Sequence, residues 1–197
     1  MSCCSARPKG QSAPIAPAPL RPATIRLVMA GPMRSGKTSL VQSMMGIYTK
    51  QPSPTIGADV NVLHLKTGEH PSSPGVVRLL VYDISGSPHF SSVACAYYKM
   101  ADFFFLVFDA SDRDSFRRVA DFRARTSTLR PGAYAFLVGN KADRRANEPF
   151  TSPLRVSREE GEKKAAEWGI PYFEVSAKHE TGVRELFAQV CAARLVG

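Results

Sequence analysis

Apolar residues fall along this chain in two alternating patterns. Near-continuous runs at 25–30, 76–82, 103–108, 133–138 and 172–175 have the character of strands buried on both faces, as a sheet covered by helices requires. Residues 58–65 partly alternate apolar with polar, as an edge strand does. They face the run at 76–82 across a turn holding Gly68, Pro71, Pro74 and Gly75, which predicts a hairpin. Helix-period segments lie between the runs. Leu40, Val41, Met44 and Met45 form an apolar stripe after Gly36, and Val183, Leu186, Phe187 and Val190 fall at i, i+3, i+4 and i+7. Ser157 followed by Glu160 reads as a capping box opening a helix that runs to about Trp168, and 114–129 is helical by length. Strands alternating with helices at this spacing predict an α/β fold, a doubly wound, mostly parallel six-stranded sheet with helices on both faces. Ligands in such a fold sit beyond the C-terminal ends of the strands.

Composition narrows the class further. With 197 residues and 44% hydrophobic content, the chain can bury a core without disulfides or a structural metal. Residues 1–23 are rich in Pro, Ala and Ser and predict a flexible arm, leaving 24–197 as one domain. The densest apolar block lies between Asp102 and Asp109 and is too short to cross a membrane. Pro14, Pro17, Pro19 and Pro22 interrupt any secretory signal. Cys3, Cys4, Cys95 and Cys191 have neither metal-ligand nor disulfide spacing, so a reducing, cytoplasmic setting is expected. The net charge of +9 is spread along the chain. Arg113, Arg117, Arg118, Arg123, Arg125 and Arg130 read as a solvated helix face interleaved with Asp114 and Asp121. Aromatic residues do not interleave with the basic ones as a stacking platform needs, so no nucleic-acid partner is expected.

Directly after the first apolar run stands Gly31-Pro32-Met33-Arg34-Ser35-Gly36-Lys37-Thr38, the G-x-x-x-x-G-K-[ST] pattern, with a helix following. Its glycines let the backbone wrap an anion with N–H groups inward, and the helix N-terminus adds a favourable dipole. Lys37 supplies a point charge for the β- and γ-phosphates, and the Thr38 hydroxyl suits a hard cation such as Mg²⁺. Gly31, Arg34, Ser35, Gly36, Lys37, Thr38 and Ser39 are thus the expected phosphate-binding residues. Met33 and Arg34 are bulkier than the small residues common in such loops and crowd the γ-phosphate position.

Such a loop serves ATPases, kinases and GTPases alike; Asn140-Lys141-Ala142-Asp143 discriminates among them. A carboxylate there accepts from the N1–H and N2–H₂ donors of guanine and would stand unpaired against adenine. The Lys141 stem covers one face of the base, and Ser176-Ala177-Lys178 offers a backbone N–H toward the guanine O6.

In this order the sequence resembles the Ras superfamily of small GTPases, most of all its Rab branch, over residues 24 to 195. The resemblance rests on Gly31 to Thr38, Pro54-Thr55-Ile56-Gly57, Asp83-Ile84-Ser85-Gly86, Asn140 to Asp143 and Ser176 to Lys178. Rab-like character comes from Thr55-Ile56-Gly57-Ala58-Asp59, Ala96-Tyr97-Tyr98-Lys99, Val107-Phe108-Asp109-Ala110-Ser111 and Val156-Ser157-Arg158-Glu159-Glu160-Gly161. It implies a small GTPase G domain that binds GTP or GDP with Mg²⁺. Thr55 would ligate Mg²⁺ and bond the γ-phosphate, Asp83 would hold Mg²⁺ through water, and the Gly86 amide would sense the γ-phosphate. Loss of that phosphate would release both loops. Tyr48 would pack on the guanine edge.

The departures carry expectations of their own. Ser87 stands where the family places the Gln that orients the attacking water, and serine is too short to do so. With Lys37 and Thr55 as the remaining catalytic residues, hydrolysis is expected to be slow. Pro88 and His89 replace the charged pair that usually follows, and His89 is the one nearby residue able to position water. Val60, Tyr82 and Tyr97 stand for the aromatic trio Rab proteins present to effectors. The turns at 68–75 and 144–156 look long for the family. The sequence ends Arg194-Leu195-Val196-Gly197 without prenylatable cysteines, so either the usual anchor is absent or the sequence is truncated. Cys191 falls within the last helix and reads as a packing residue. Cys3 and Cys4 beside Arg7 and Lys9 are the candidate acylation sites that would place the protein on the cytosolic face of endomembranes. The resemblance implies effector, exchange-factor and GTPase-activating partners in vesicle traffic. Two rivals remain: a non-catalytic scaffold that keeps GTP bound, and an adenine-nucleotide enzyme that Asp143 disfavours.

Overall fold

A computed structural model describes residues 24–50, 52–66, 76–147 and 155–196. The N-terminal arm with Cys3 and Cys4, the turn at 68–75 and most of the long turn before Arg155 lie outside the described residues.

Six strands form one sheet in the order β2-β3-β1-β4-β5-β6. They are β1 (Thr24–Ala30), β2 (Ala58–Lys66), β3 (Val76–Ile84), β4 (Phe103–Asp109), β5 (Tyr134–Asn140) and β6 (Tyr172–Glu174). β2 pairs antiparallel with β3, and every other pairing is parallel. The mostly parallel, doubly wound sheet expected from the apolar runs is therefore the fold observed. The helices are α1 (Lys37–Met44), α2 (Ser91–Met100), α3 (Arg113–Leu129), α4 (Ala142–Asn147), α5 (Arg158–Glu167) and α6 (Val183–Val196).

Period-two alternation along the central strands divides the core into two layers. Phe103, Phe105 and Val107 of β4 pack with Leu40, Leu186 and Phe187 of α1 and α6 on one face. Phe104, Leu106 and Phe108 pack with Ala94, Tyr98, Val119 and Ala165 of α2, α3 and α5 on the other. Every residue of β4 is buried, which explains why its sequence reads as an unbroken apolar run. The capping box is present: the Ser157 hydroxyl accepts from the Glu160 amide, and Glu160 accepts from the Ser157 amide.

Two features differ from the sequence pattern. α1 ends at Met44, and Met45 is 39% exposed, so the apolar stripe stops one residue early. The helix at Ser91–Met100 was not expected, because only Ala94 and Tyr98 of its ten residues are buried and no clean period is visible. Among the described residues no helix is long and apolar enough to cross a membrane. Cys191 is buried in α6, as a packing residue would be.

Candidate nucleotide-binding site

The C-terminal ends of β1, β3, β4 and β5 deliver their loops to one rim of the sheet, where a cleft of about 590 Å³ opens. Arg34, Gly36, Lys37, Thr38 and Ser39 line it together with Asn140, Lys141, Asp143, Ala177 and Lys178, and Tyr48, Thr55, Gly86 and Ser87 complete the lining. Gly31, Ser35, Asp83 and Ser176 are buried beyond that lining. Tyr48 faces the cleft and also packs on the core layer beneath it. Val60 and Tyr97 stand apart from the cleft, as does His89, which is exposed and whose amide donates to Ser87 Oγ at 3.4 Å.

The loop between β1 and α1 has the shape its glycines dictate. Gly36 has a φ of 90°, and a Cβ there would stand 2.2 Å from Asn140 Nδ2. Lys37 is buried and its ammonium donates to the carbonyls of Gly31 at 2.9 Å and Pro32 at 3.0 Å. Burial pushes that ammonium down to about 8, against the opposing pull of Asp83. An ammonium held at that cost at the N-terminus of α1 favours a polyanion. Arg34 takes a left-handed φ of 64°, and its carbonyl accepts from Lys141 Nζ at 2.6 Å.

Three oxygen groups from separate elements meet below this loop. Thr38 donates to Asp83 Oδ2 at 2.6 Å, Thr55 stands 3.0 Å from the Thr38 hydroxyl, and Thr55 donates to Asp83 Oδ2 at 3.4 Å. Burial raises the Asp83 carboxyl above its ordinary range, and among the described residues its Oδ1 has no partner. A buried orphan carboxylate oxygen beside two hydroxyls is the donor set of a hard divalent cation, so these residues fit Mg²⁺. The segment that carries Thr55 is also tied to the loop that follows β3 and Asp83, because the Ser85 amide donates to the Gly57 carbonyl at 2.9 Å. Gly86 lies against the phosphate loop so closely that a Cβ would fall 2.5 Å from the Met33 nitrogen.

Also lining the cleft, Asp143 is held by Ser176, whose hydroxyl donates to Oδ1 at 2.6 Å, while Oδ2 lies 3.9 Å from His179 Nε2. Lys141 takes a left-handed φ of 62°, and its ammonium pairs with Asp109 at 2.7 Å. Asp109 was missed by sequence reasoning. Its sequence signal was only its place as the acidic end of an apolar run; the parallel register that sets it opposite Asn140, beside that lysine, belongs to the assembled sheet. Of the effector trio, Val60 is 53% exposed and cross-strand from Tyr82, but Tyr82 is buried against Tyr97 with ring centroids 5.0 Å apart. Tyr82 therefore packs beneath that surface, with Tyr97 against it.

A doubly wound sheet whose order reverses beside β1, with the G-x-x-x-x-G-K-[ST] loop leading from β1 into α1, has the architecture of a P-loop nucleotide-binding protein. The Ras family model matches residues 26–195, and the chain belongs to that family. It is a Rab-like small GTPase by its relatives. It is 32% identical to human Ras-related protein Rab-39A, over 82% of this chain and 73% of that one. It is 30% identical to Arabidopsis thaliana Ras-related protein RABC1, over 84% and 74%. Ras-related protein SEC4 of Candida albicans is 29% identical, over 85% and 76%.

Proposed function

We propose that this chain is a Mg²⁺-dependent GTP/GDP switch acting in vesicle traffic, with slow hydrolysis of its own. The observation that carries the reading is Asp143, its carboxylate fixed by Ser176 in the same cleft that the phosphate loop lines. A guanine donates two hydrogen bonds to such a carboxylate, whereas adenine leaves it desolvated and unpaired. Residues 24–197 act as one G domain behind the N-terminal arm.

Each residue then has a task. The amides of Arg34 to Ser39 and the Lys37 ammonium hold the phosphates, and the Gly86 amide bonds the γ-phosphate. Lys141 covers the base with its stem, Tyr48 packs on its edge, and Ala177 and Lys178 close the far side. Thr38 and Thr55, with Asp83 through water, would hold the cation. When bound, Mg²⁺ neutralises charge on the β- and γ-phosphates. Hydrolysis is in-line attack of water on the γ-phosphorus, and Ser87 does not reach that water. Its side chain accepts from His89 N instead, capping the short 3₁₀ turn at Pro88–Phe90. A GTPase-activating partner supplies the missing group, while exchange factors and effectors complete the cycle. Val60, with Tyr97 behind it, presents to effectors, and Cys3 and Cys4 carry the acyl groups that bring the protein to the cytosolic face of endomembranes.

Ser87 and the half-exposed Met33 at the phosphate end favour a second reading, a scaffold that keeps GTP bound. The nucleotide that copurifies separates the two. GDP supports the cycling switch, and persistent GTP with no single-turnover hydrolysis supports the scaffold.

A further inference from the structure

A second, smaller cavity of about 110 Å³ lies between α2, α3 and residues 85–88. Tyr98 stands in its wall, 2% exposed, with its ring set edge-on to Phe104. Among the described residues its hydroxyl makes no hydrogen bond, and it is not sealed in the core but open to the cavity. Arg118 and Arg125 stand two turns apart on α3 at the same cavity, and neither meets a carboxylate among the described residues. The Arg125 charge acts on the Tyr98 phenol, opposing the rise that burial causes.

We propose that this cavity is a docking site for the carboxylate of an aspartate or glutamate side chain of a partner protein, held by Arg118, Arg125 and the Tyr98 hydroxyl. Size and charge select the occupant. The space holds about three or four waters' worth of volume, enough for a carboxylate on a short stem. Asp121 shares the rim, so two guanidiniums and one carboxylate leave a single positive charge there, which suits a monoanion better than a dianionic phosphoryl group. Ala94 and Phe122 give the cavity an apolar wall, against which the stem of such a side chain packs, while Arg118 and Arg125 stand exposed at its rim. Ser85, Gly86 and Ser87 line both this cavity and the large cleft, so its occupant is coupled to what the cleft holds. That coupling rests on the nucleotide reading above, whereas the carboxylate site stands without it.

The test is NMR of the full chain with ¹⁵N-labelled arginine, titrated with acetate, inorganic phosphate and chloride at matched ionic strength, once with GDP and once with a non-hydrolysable GTP analogue. Acetate is expected to shift the Nε–H signals of Arg118 and Arg125 saturably in the millimolar range. Its affinity should fall at least about fivefold in Arg125→Gln and about threefold in Tyr98→Phe, each losing one hydrogen-bonding group. It should differ at least about twofold between the two nucleotides. A chloride-like response, or one unchanged in both variants, overturns the site. Phosphate binding more tightly than acetate overturns the carboxylate assignment. Equal acetate affinity with both nucleotides overturns the coupling alone. If the chain binds no guanine nucleotide, the acetate titration still reads the site.

Discussion

Asn140 and Ser35, 105 positions apart, meet through a hydrogen bond from the Asn140 amide to the Ser35 carbonyl at 3.1 Å. The same Nδ2 reaches the Gly36 carbonyl at 3.3 Å, and Oδ1 accepts from the Lys141 and Ala177 amides at 2.8 and 3.2 Å. One fully buried side chain thus joins the phosphate loop to both base-facing segments. Asn140→Ala leaves these groups without that partner, at about 1–3 kcal/mol for an unmade buried hydrogen bond. Nucleotide dissociation should accelerate at least about tenfold, each 1.4 kcal/mol being one decade. Displacement of a fluorescent GDP analogue measures it, and an unchanged rate would confine Asn140 to folding.

Ser87→Gln restores a side chain long enough to reach water at the γ-phosphate. Single-turnover hydrolysis should rise at least about tenfold. If it does not, the barrier lies elsewhere at the phosphate end, with Met33 the residue to truncate next.

Much of this architecture was legible in the sequence because burial leaves a mark on composition. β4 reads as a strand since both its faces are covered, and Ser157 with Glu160 announces its helix through a local capping geometry. α2 was not legible: two buried positions among Ser, Ala and Tyr give no period. At the cleft, the short motifs specify backbone shape and so could be read directly. The Lys141–Asp109 pair and the burial of Tyr82 depend on strand register and on which helix covers which face, which no single segment encodes.

Lys37 makes the cleft sensitive to alkali. Its ammonium titrates at about 8 in the ligand-free fold, and bound phosphates favour the charged form. GDP affinity should hold below that pH and fall above it, by up to about tenfold per pH unit. The unfolded chain keeps this proton up to 10.5, so between 8 and 10.5 the same group makes the ligand-free fold more stable as pH rises. Affinity and stability therefore run in opposite directions, and calorimetry of wild type against Lys37→Met across this range reads both. Parallel trends would contradict the assignment.

Arg113 ties α3 to α5, donating to Glu160 at 2.6 and 3.0 Å and to the Arg155 carbonyl at 2.6 Å. The guanidinium holds the Glu160 carboxyl below its ordinary range. A depressed carboxyl contributes stability above its unfolded value of 4.5, and that contribution is lost as pH falls through the lower folded value. Both side chains are partly solvated, so Arg113→Ala should cost only about 1 kcal/mol at pH 7. Denaturant midpoints should show the gap closing as pH falls below 4.5; a constant gap would assign the loss to packing.

Discrimination between purines is the most direct test of the account. The nucleotide-stripped chain, titrated with GDP and ADP in the presence of Mg²⁺, should bind GDP at micromolar or lower concentration and ADP at least about a thousandfold more weakly, as a site built around paired donors rejects a base lacking them. Equal affinity for the two, or no binding of GDP, would contradict the role given to Asp143 and the function built on it.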